Sequence, residues 1–368
     1  MTDGALLADE RRLLILARLR EQSVVRVRDL AEEFKTSQMT IRRDLVAMDA
    51  EGLLRQVHGG AVLARESAPS PGSTPRGLGH VGIVVPTANY YFATIINGCK
   101  ETISDAGGTA SVMVSDFDMA RERALCEQFV ATGARALVFA PTFTQDTAAD
   151  VAEWLFDLPI PVVLLERDIA DPATGRAMSS VRTAYEKGWE TSLRHLRTHG
   201  HGRVALVTHG LRQVGVNLTT TWHQAARDAG YDPENALLLA DPRVTGAPAQ
   251  EVLDEIVDWI ADTGATGVIS HCDQATLGIV QTIRARGWRI PEDLSIVTNE
   301  DQIAQLTDPP LTSNSPVKLA VGRTAGRMAH DLMTDTTASI QHVLFQPNLT
   351  DRGSCAAPAV DRTVLRPV

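Results

Sequence analysis

The chain has 368 residues, a net charge of −10 and 44% hydrophobic residues, and its length exceeds what one hydrophobic core usually organises. We therefore expect two or three folding units. No stretch approaches the roughly 20 apolar residues of a membrane-spanning helix, and residues 1–12 include both acidic and basic side chains and lack the apolar core of a signal peptide. These features predict a cytoplasmic protein with no membrane partner.

The cysteines and the charge distribution restrict the function further. Cys99, Cys126, Cys272 and Cys355 are far apart and form no CxxC pair, so we expect reduced thiols and no bound metal. We also expect no cofactor. Residues 1–65 contain 11 Lys and Arg against 10 Asp and Glu, whereas the remainder contains 24 against 35. The acidic excess lies behind the first domain, which leaves nucleic acid open as a partner of that domain.

Three short helices and a hairpin are predicted in a first domain at residues 1–64. Apolar spacing predicts helices at 11–20, 27–34 and 38–49, followed by a hairpin at 52–62. The third helix has Ile41, Leu45 and Met48 on one face, which we expect to pack inward.

The opposite face and the start of the third helix carry side chains suited to DNA. Arginine forks can pair with guanine edges or phosphates, and Ser, Gln and Thr can contact bases or phosphates. A helix N-terminus also favours a backbone phosphate. Taken alone, an Arg-Arg pair is more often an ordinary solvated helix surface. The candidate DNA-binding residues are Ser37, Gln38, Thr40, Arg42 and Arg43 of the helix, with Arg55 and His58 of the hairpin.

Four segments between residues 10 and 63 closely resemble the DeoR-type winged helix-turn-helix. They are Glu10-Arg-Arg, Val27-Arg-Asp-Leu-Ala-Glu-Glu-Phe, Thr40-Ile-Arg-Arg-Asp-Leu and Gly52-Leu-Leu-Arg-Gln-Val-His-Gly-Gly-Ala. The resemblance implies binding of double-stranded operator DNA through the helix that begins at Ser37. It also implies a homodimer, with a tetramer left open, because two half-sites are usually engaged together.

A second, larger domain is predicted at residues 79–368, after a Pro/Ser/Gly-rich linker at 65–78. Apolar strands alternate there with amphipathic helices, which is typical of an α/β fold with parallel sheets covered by helices. The predicted strands are 81–85, 136–140, 161–165, 203–207, 267–270 and 294–298, and the predicted helices include 93–106, 186–198 and 274–286.

Polar and aromatic side chains follow several of these strands, at the edge where open α/β sheets bind ligands. Aromatic rings stack on C–H faces while carboxylate and amide oxygens accept hydroxyl protons, so the set suits a polyhydroxylated ligand such as a small sugar. The leading candidate is Asp273. The full set of candidate ligand-binding residues is Asn89, Tyr91, Phe92, Thr142, Arg167, His271, Asp273, Asn299 and Asp301.

Four segments of this domain resemble the LacI/GalR-type effector domain over about residues 79–358. They are Pro291-Glu-Asp-Leu-Ser-Ile-Val, Pro310-Leu-Thr, Gly322-Arg-Thr-Ala and Leu349-Thr-Asp-Arg-Gly-Ser. The resemblance implies a two-lobed, periplasmic-binding-protein-like fold with Rossmann-like lobes, and a dimer. The implied effector is a sugar between the lobes, with a phosphosugar or a nucleoside as alternatives.

The resemblance also implies three crossovers between the lobes, which we place near Thr183, Ser313 and Ile340. Lobe 1 is then expected at 79–183 and 314–339, and lobe 2 at 184–313 and 340–368.

Two departures leave the ligand open. Thr87 stands where the family often has Asp, and Asn217 and Leu218 stand where it often has Arg.

Structural roles are the alternatives for the candidate ligand-binding residues. Asp273 could cap the helix that follows it, and Arg167 could pair with Glu166 or Asp168 at the surface. The aromatic residues could belong to the core of a lobe.

Two rival functions remain for the whole chain. A transport-type binding protein would share the effector fold without a DNA-reading helix. An enzyme acting on a sugar would need an arrangement such as His271 with Asp273, because no GxSxG, HExxH or GxxxxGK motif occurs. We therefore expect a ligand-controlled repressor and no enzyme.

Overall fold

The structure, a computed structural model, divides the chain into two compact units, Met1–Pro75 and Arg76–Val368. It describes residues 11, 15, 18–19, 24–34, 36–50, 54–57, 60–63, 79–88, 90–143, 147–169, 174–208, 218–241, 243–244, 248–335 and 337–359.

The described part of the first unit contains two complete helices and a three-stranded antiparallel sheet of order β1-β3-β2. Its elements are β1 Val24–Arg26, α1 Val27–Glu33, α2 Gln38–Ala50, β2 Leu54–Val57 and β3 Gly60–Leu63. Both helices and the hairpin lie where the sequence predicts them. Strand β1 is not predicted, because three residues are too short to show an alternating pattern.

The core of the first unit confirms the inward face of α2. Ile41, Leu45 and Met48 are buried together with Leu30 of α1 and Leu54 of β2. Among the described residues of the helix expected at 11–20, both apolar positions are buried and all positions are helical. The unit is therefore a helix-turn-helix closed by a β-sheet.

One glycine determines how closely the sheet of the first unit can pack. Gly60 of β3 pairs with Arg26 of β1, and a Cβ atom at Gly60 would lie 2.0 Å from the carbonyl oxygen of Val25. No larger residue fits this contact, so Gly60 allows β1 to join the hairpin.

The second unit contains two lobes, of which lobe 1 has a six-stranded parallel sheet of order β14-β8-β7-β6-β4-β5. Its strands are β4 His80–Val85, β5 Thr109–Val114, β6 Ala136–Phe139, β7 Val162–Leu165, β8 Ser179–Thr183 and β14 His342–Phe345. Its helices are α3 Tyr91–Asp105, α4 Met119–Ala131, α5 Ala148–Phe156 and α10 Lys318–Thr334. A hydrophobic core lies on each face of the sheet.

Lobe 2 has a second six-stranded sheet, of order β10-β9-β11-β12-β13-β15, which is parallel except for the last pair. Its strands are β9 Val204–Thr208, β10 Ala236–Ala240, β11 Gly267–Ser270, β12 Ser295–Thr298, β13 Thr312–Ser315 and β15 Asn348–Thr350. Its helices are α6 Tyr185–Thr198, α7 Leu218–Asp228, α8 Gln250–Thr263 and α9 Asp273–Ala285. Cores again cover both faces. The expected two-lobed α/β fold is confirmed.

The chain crosses between the lobes at three places. The crossovers join β8 to α6 after Thr183, β13 to α10 after Ser315, and β14 to β15 after Phe345. The first two lie close to their expected positions. The third lies later than Ile340, because β14 pairs in parallel with β8 and so belongs to lobe 1. Among the described residues, no helix is long and apolar enough to cross a membrane.

Helices α3 and α10 of lobe 1 pack in direct backbone contact through glycine. A Cβ atom at Gly322 would lie 2.0 Å from the carbonyl oxygen of Ile95, and one at Gly98 would lie 2.6 Å from the carbonyl oxygen of Leu319. The two helices can approach this closely only because neither position carries a side chain.

We therefore expect Gly322→Ala to lower the free energy of unfolding of the second unit by about 2 kcal/mol, since overpacking must push α3 and α10 apart. Gly202→Ala is the matched control, because nothing lies within 4 Å of a Cβ atom there. Urea titration measures both variants. Equal stability of the two variants would contradict the direct backbone contact.

Candidate functional site

Helix α2 of the first unit begins with a side-chain cap. The backbone N–H of Thr40 donates to Ser37 Oγ at 3.1 Å, and the two hydroxyl oxygens lie 2.9 Å apart. Such a cap satisfies a free N–H group at the helix start. Ser37 therefore has a structural role in addition to any contact with DNA.

The face of α2 opposite the core is open to solvent. Gln38, Arg42 and Arg43 are exposed, and Met39 and Val46 are 66% and 57% exposed. The sequence-based candidates omit Met39 and Val46, although their spacing of seven residues places them on the same face. Exposed apolar groups on such a face can contact thymine methyl groups, while the arginines can pair with guanine.

A buried ion pair connects α2 to the helical segment expected at residues 11–20, before β1. Arg11 Nε lies 2.5 Å from a carboxylate oxygen of Asp44, and both residues are less than a tenth exposed. Asp44 directly follows Arg43, so the pair helps to fix the orientation in which α2 presents its arginines.

The two hairpin candidates lie largely outside the described residues. Arg55 belongs to β2, where its backbone pairs with Val62, but its side chain is not among those described. His58 lies outside the described residues altogether. The candidate DNA-reading surface therefore consists of Gln38, Met39, Arg42, Arg43 and Val46, which we call the α2 face.

In the second unit, the carboxyl ends of the two sheets meet beside the crossovers. The Tyr185 hydroxyl of lobe 2 donates to the Tyr91 hydroxyl of lobe 1 at 2.7 Å. Gln302 Nε2 of lobe 2 donates to the carbonyl oxygen of Tyr90 at 2.9 Å. Ligands of open α/β sheets bind at such edges, and we call this region the inter-lobe cleft.

Glu166 forms the lobe 1 side of the cleft and is only 2% exposed. Its carboxylate accepts hydrogen bonds from the Tyr91 hydroxyl and from the backbone N–H and hydroxyl of Thr183, each at 3.0 Å. Burial raises the pKa of Glu166, and these hydrogen bonds oppose the rise. Tyr91, an expected ligand contact, is therefore also part of a structural hydrogen-bond network.

Arg167 lies beside Glu166 and is 5% exposed. Its Nη1 donates to the carbonyl oxygen of Glu166 at 2.6 Å, and its Nε has no acceptor among the described residues. Asp168, the other expected partner, instead lies 2.6 Å from Arg182 Nε. Arg167 is buried and donates to no carboxylate of a described residue, so the structure does not support a surface ion pair with Glu166 or Asp168.

Asp273, the leading sequence-based candidate, supports the backbone of lobe 2. Its carboxylate accepts from the Thr298 hydroxyl at 2.8 Å and from the backbone N–H groups of Gln302 and Ile303 at 2.7 and 2.9 Å. Asp273 thus holds the turn after β12 in place. The structure does not support the capping alternative, because α9 begins at Asp273 itself, its N-cap residue is Cys272 and no side chain caps it.

Glu300 is a buried acid in the cleft that the sequence-based candidates omit. It is 7% exposed, and its Oε2 accepts from the backbone N–H of Asp273 at 3.2 Å. Burial raises the pKa of Glu300 to about 7; the Lys318 ammonium opposes the rise and the Asp273 carboxylate adds to it. In the sequence, Glu300 is indicated as a cleft residue only by its position between the candidates Asn299 and Asp301.

Four other candidates differ in their surroundings. Phe92 belongs to the hydrophobic core of lobe 1, and Asp301 forms an ion pair with Arg352 at 2.7 Å. Thr142 is buried, with its backbone N–H donating to Glu122. The His271 ring packs 5.5 Å from that of Tyr185.

Asn299 and Ser270 lie at the ends of the neighbouring strands β12 and β11. Both are buried, and among the described residues neither the Asn299 amide nor the Ser270 hydroxyl has a hydrogen-bond partner. Asn89 lies outside the described residues. In the described part of the chain, no group of three His, Cys, Asp or Glu residues could hold a metal ion.

The raised pKa of Glu300 predicts a pH dependence. The unfolded chain releases this proton near the ordinary pKa, whereas the folded protein keeps it to about pH 7. The resulting stability is fully present below the ordinary pKa and is lost as the pH rises through about 7. Because Glu300→Gln cannot ionise, its free energy of unfolding should rise relative to the wild type between about pH 5 and about pH 8, by on the order of 2 kcal/mol.

Urea titrations at both pH values measure this difference. Glu292→Gln, at an exposed carboxylate of the same lobe, is the matched control. A difference that stays flat for Glu300→Gln, or that is the same for both variants, would contradict the raised pKa.

Comparison with known families identifies both units. Residues 11–67 match the model of the DeoR-like helix-turn-helix domain, and residues 193–355 match that of the periplasmic binding protein-like domain. The arabinose metabolism transcriptional repressor of Geobacillus stearothermophilus is 23% identical over 334 residues, which cover 89% of each chain. An uncharacterised HTH-type transcriptional regulator from Streptomyces limosus is 28% identical over 297 residues, covering 76% of this chain and 80% of that protein.

Solved structures share the fold of the second unit. The transcription regulator CcpA of Lactococcus lactis superposes with a TM-score of 0.62 at 21% identity, covering 75% of this chain and 98% of that one. A LacI family regulator from Enterococcus faecium with bound ribose gives 0.59 at 20% identity, covering 76% and 99%. The second unit thus has the two-lobed fold of LacI-type effector domains.

Together these matches define the class of protein. The chain is a helix-turn-helix transcription regulator that joins a DeoR-like DNA-binding domain to a periplasmic binding protein-like effector domain.

Proposed function

We propose that this chain is a repressor whose affinity for operator DNA is controlled by a small sugar-like effector bound in the inter-lobe cleft. The observation that carries the proposal is the α2 face, on which exposed arginines alternate with exposed apolar side chains opposite a packed core. Solvation alone does not explain why Met39 and Val46 are exposed beside two arginines. A DNA major groove can contact all four side chains.

The repressor acts as a homodimer that places one α2 face on each operator half-site. A single helix of this kind makes too few contacts for tight binding, because specific affinity arises from two half-sites engaged together. Comparison with a solved dimeric Lac repressor, which shares the fold with a TM-score of 0.62 at 18% identity, supports this assembly.

Buried polar atoms in the inter-lobe cleft support a polyhydroxylated effector. The Asn299 amide offers both a donor and an acceptor, Ser270 offers a hydroxyl, and Arg167 offers an N–H, each without a partner among the described residues. Buried polar groups are nearly always hydrogen-bonded, so a ligand with several hydroxyls would complete the set. The relatives named for arabinose and solved with ribose are consistent with a sugar.

The effector changes DNA affinity by binding one arrangement of the lobes better than another. Only this difference in affinity can be transmitted, and a coupling of about 1 to 3 kcal/mol is ordinary for such proteins. The chain works in the cytoplasm and catalyses no reaction, which its similarity to transcription regulators supports.

Fluorescence anisotropy of the purified chain with DNA from its own upstream region tests the proposal. We expect tight binding at low salt that weakens steeply as salt increases, and a shift of about 5- to 150-fold when the effector is added. Protein that ignores this DNA at low salt would overturn the proposal. Chemical alteration of a bound sugar on long incubation would favour an enzyme instead.

A further inference from the structure

Two buried cations at the inter-lobe cleft have no anionic hydrogen-bond partner in the described part of the chain. Lys318 is 8% exposed and forms neither a hydrogen bond nor an ion pair with a described residue; its ammonium lies 5.0 Å from the centre of the Tyr91 ring. Arg167 bonds only a backbone carbonyl there and leaves its Nε unpaired. Buried charges are normally paired, and no described residue supplies the anionic acceptor, so a ligand could supply it for both cations.

The acids around Lys318 do not supply this acceptor. Glu300, Asp273 and Asp301 attract the ammonium electrostatically, but none of them forms an ion pair with it. Each is held by other donors: Glu300 by the Asp273 N–H, Asp273 by the turn after β12, and Asp301 by Arg352.

Burial also raises the pKa of both Glu300 and Glu166, which favours the neutral forms of these acids. The more these acids stay protonated, the less negative charge balances the two cations. Burial lowers the pKa of Lys318, so an anionic group of a ligand beside it would stabilise its charged form.

We infer that Lys318 and Arg167 determine effector specificity by binding a carboxylate, so that the effector is a small sugar acid and not a neutral sugar. The inference rests on the proposed function, since it concerns the effector of the same cleft. Tyr91 connects the two cations: the Lys318 ammonium lies 5.0 Å from the centre of its ring, and its hydroxyl donates to Glu166, whose backbone carbonyl accepts from Arg167.

A carboxylate fits this pair better than a hydroxyl does. Charge-assisted hydrogen bonds are roughly twice as strong as neutral ones, and the planar guanidinium of Arg167 matches the two oxygens of a carboxylate. Ser270 and Asn299, at the lobe 2 edge, remain available for the hydroxyl groups of the same ligand.

Isothermal titration calorimetry on the full-length chain tests the inference without any variant. Glucuronate, galacturonate and gluconate are compared with glucose, galactose and the methyl ester of glucuronate at constant pH and ionic strength. We expect at least one acid to bind about tenfold or more tightly than its uncharged counterpart. Equal or tighter binding of the uncharged compounds, or no binding of any acid, would overturn the inference.

Variants then test the two cations. Lys318→Met should weaken binding of the acid about ten- to a hundredfold and binding of an uncharged sugar less than about threefold, whereas Lys318→Arg should keep most of the preference. Arg227→Gln, at an exposed arginine of lobe 2, is the matched control and should change neither. If Lys318→Met fails to fold, Arg167→Lys replaces it in the test. This variant keeps the positive charge but loses the planar guanidinium that can bind both carboxylate oxygens, so it should weaken binding of the acid more than binding of the uncharged sugar. An equal loss of affinity for the acid and for the uncharged sugar would overturn the inference.

Operator binding separates this inference from the proposed function. A neutral sugar that changes operator affinity, with no effect of any acid, would overturn the inference and leave the repressor intact. A sugar acid that binds through Lys318 without changing operator affinity would support the inference and count against effector control.

Discussion

Arg43→Ala is expected to weaken binding to operator DNA by about 1 to 3 kcal/mol, or roughly 5- to 150-fold, without changing affinity for the effector. Arg43 is exposed on the α2 face, so its removal costs no packing in the core. A bidentate contact with guanine would be lost together with its discrimination against other bases. Anisotropy titrations with operator and with base-substituted DNA measure both effects.

Arg28→Ala is the matched control for the loss of one positive charge, since Arg28 is exposed on α1 and outside the α2 face. If both variants weakened DNA binding equally, only general electrostatic attraction would be involved. If Arg43→Ala weakened binding to all DNA sequences equally and made binding less dependent on salt, Arg43 would contact a phosphate and not a base.

Asp273→Ala is expected to lower the free energy of unfolding of the second unit by about 4 kcal/mol and to weaken effector binding as a consequence. The substitution leaves the N–H groups of Gln302 and Ile303 and the Thr298 hydroxyl without their acceptor. Each buried donor left unsatisfied costs about 1 to 3 kcal/mol. Chemical denaturation and calorimetry with the effector measure the two effects.

The matched control is Asp258→Ala, which removes an aspartate that pairs with Arg286 at the surface of lobe 2. Exposed ion pairs contribute little, so this variant should remain within about 0.5 kcal/mol of the wild type. Normal stability of Asp273→Ala combined with lost effector binding would instead make Asp273 a direct ligand contact.

The sequence predicts the first unit and the central strands well, because local patterns determine them. Helix α2 combines a cap, an apolar stripe and polar side chains within one segment, and strands such as β11 are short apolar runs buried on both faces. Strand β13, with the sequence Thr-Ser-Asn-Ser, shows no such run and is not predicted. Its position depends on pairing with β12 and β15, which a local pattern does not reveal.

The sequence predicts where the inter-lobe cleft lies, but it predicts the roles of the individual cleft residues less well. The ends of parallel strands can be located in a sequence, but the direction of each side chain depends on contacts that form only in the folded chain. Asp273 and Glu300 lie side by side, yet the first holds a turn through three hydrogen bonds while the second accepts one from the Asp273 backbone. Lys318 is not predicted because nothing near it in the sequence indicates that a lysine at the start of α10 would be buried.

The crossovers determine how the effector domain can move. Two of the three crossovers contain a proline, Pro316 and Pro347. Pro347 packs so closely against Gly188 of α6 that a Cβ atom at Gly188 would lie 2.8 Å from the proline ring. Proline locks one backbone dihedral, so few torsions remain to change the angle between the lobes. We expect a stiff pivot that restricts the lobes to a narrow range of rotation axes. Effector binding would then reach the DNA as rotation in a defined direction, and lengthening or loosening these connections would uncouple the two activities while leaving each intact.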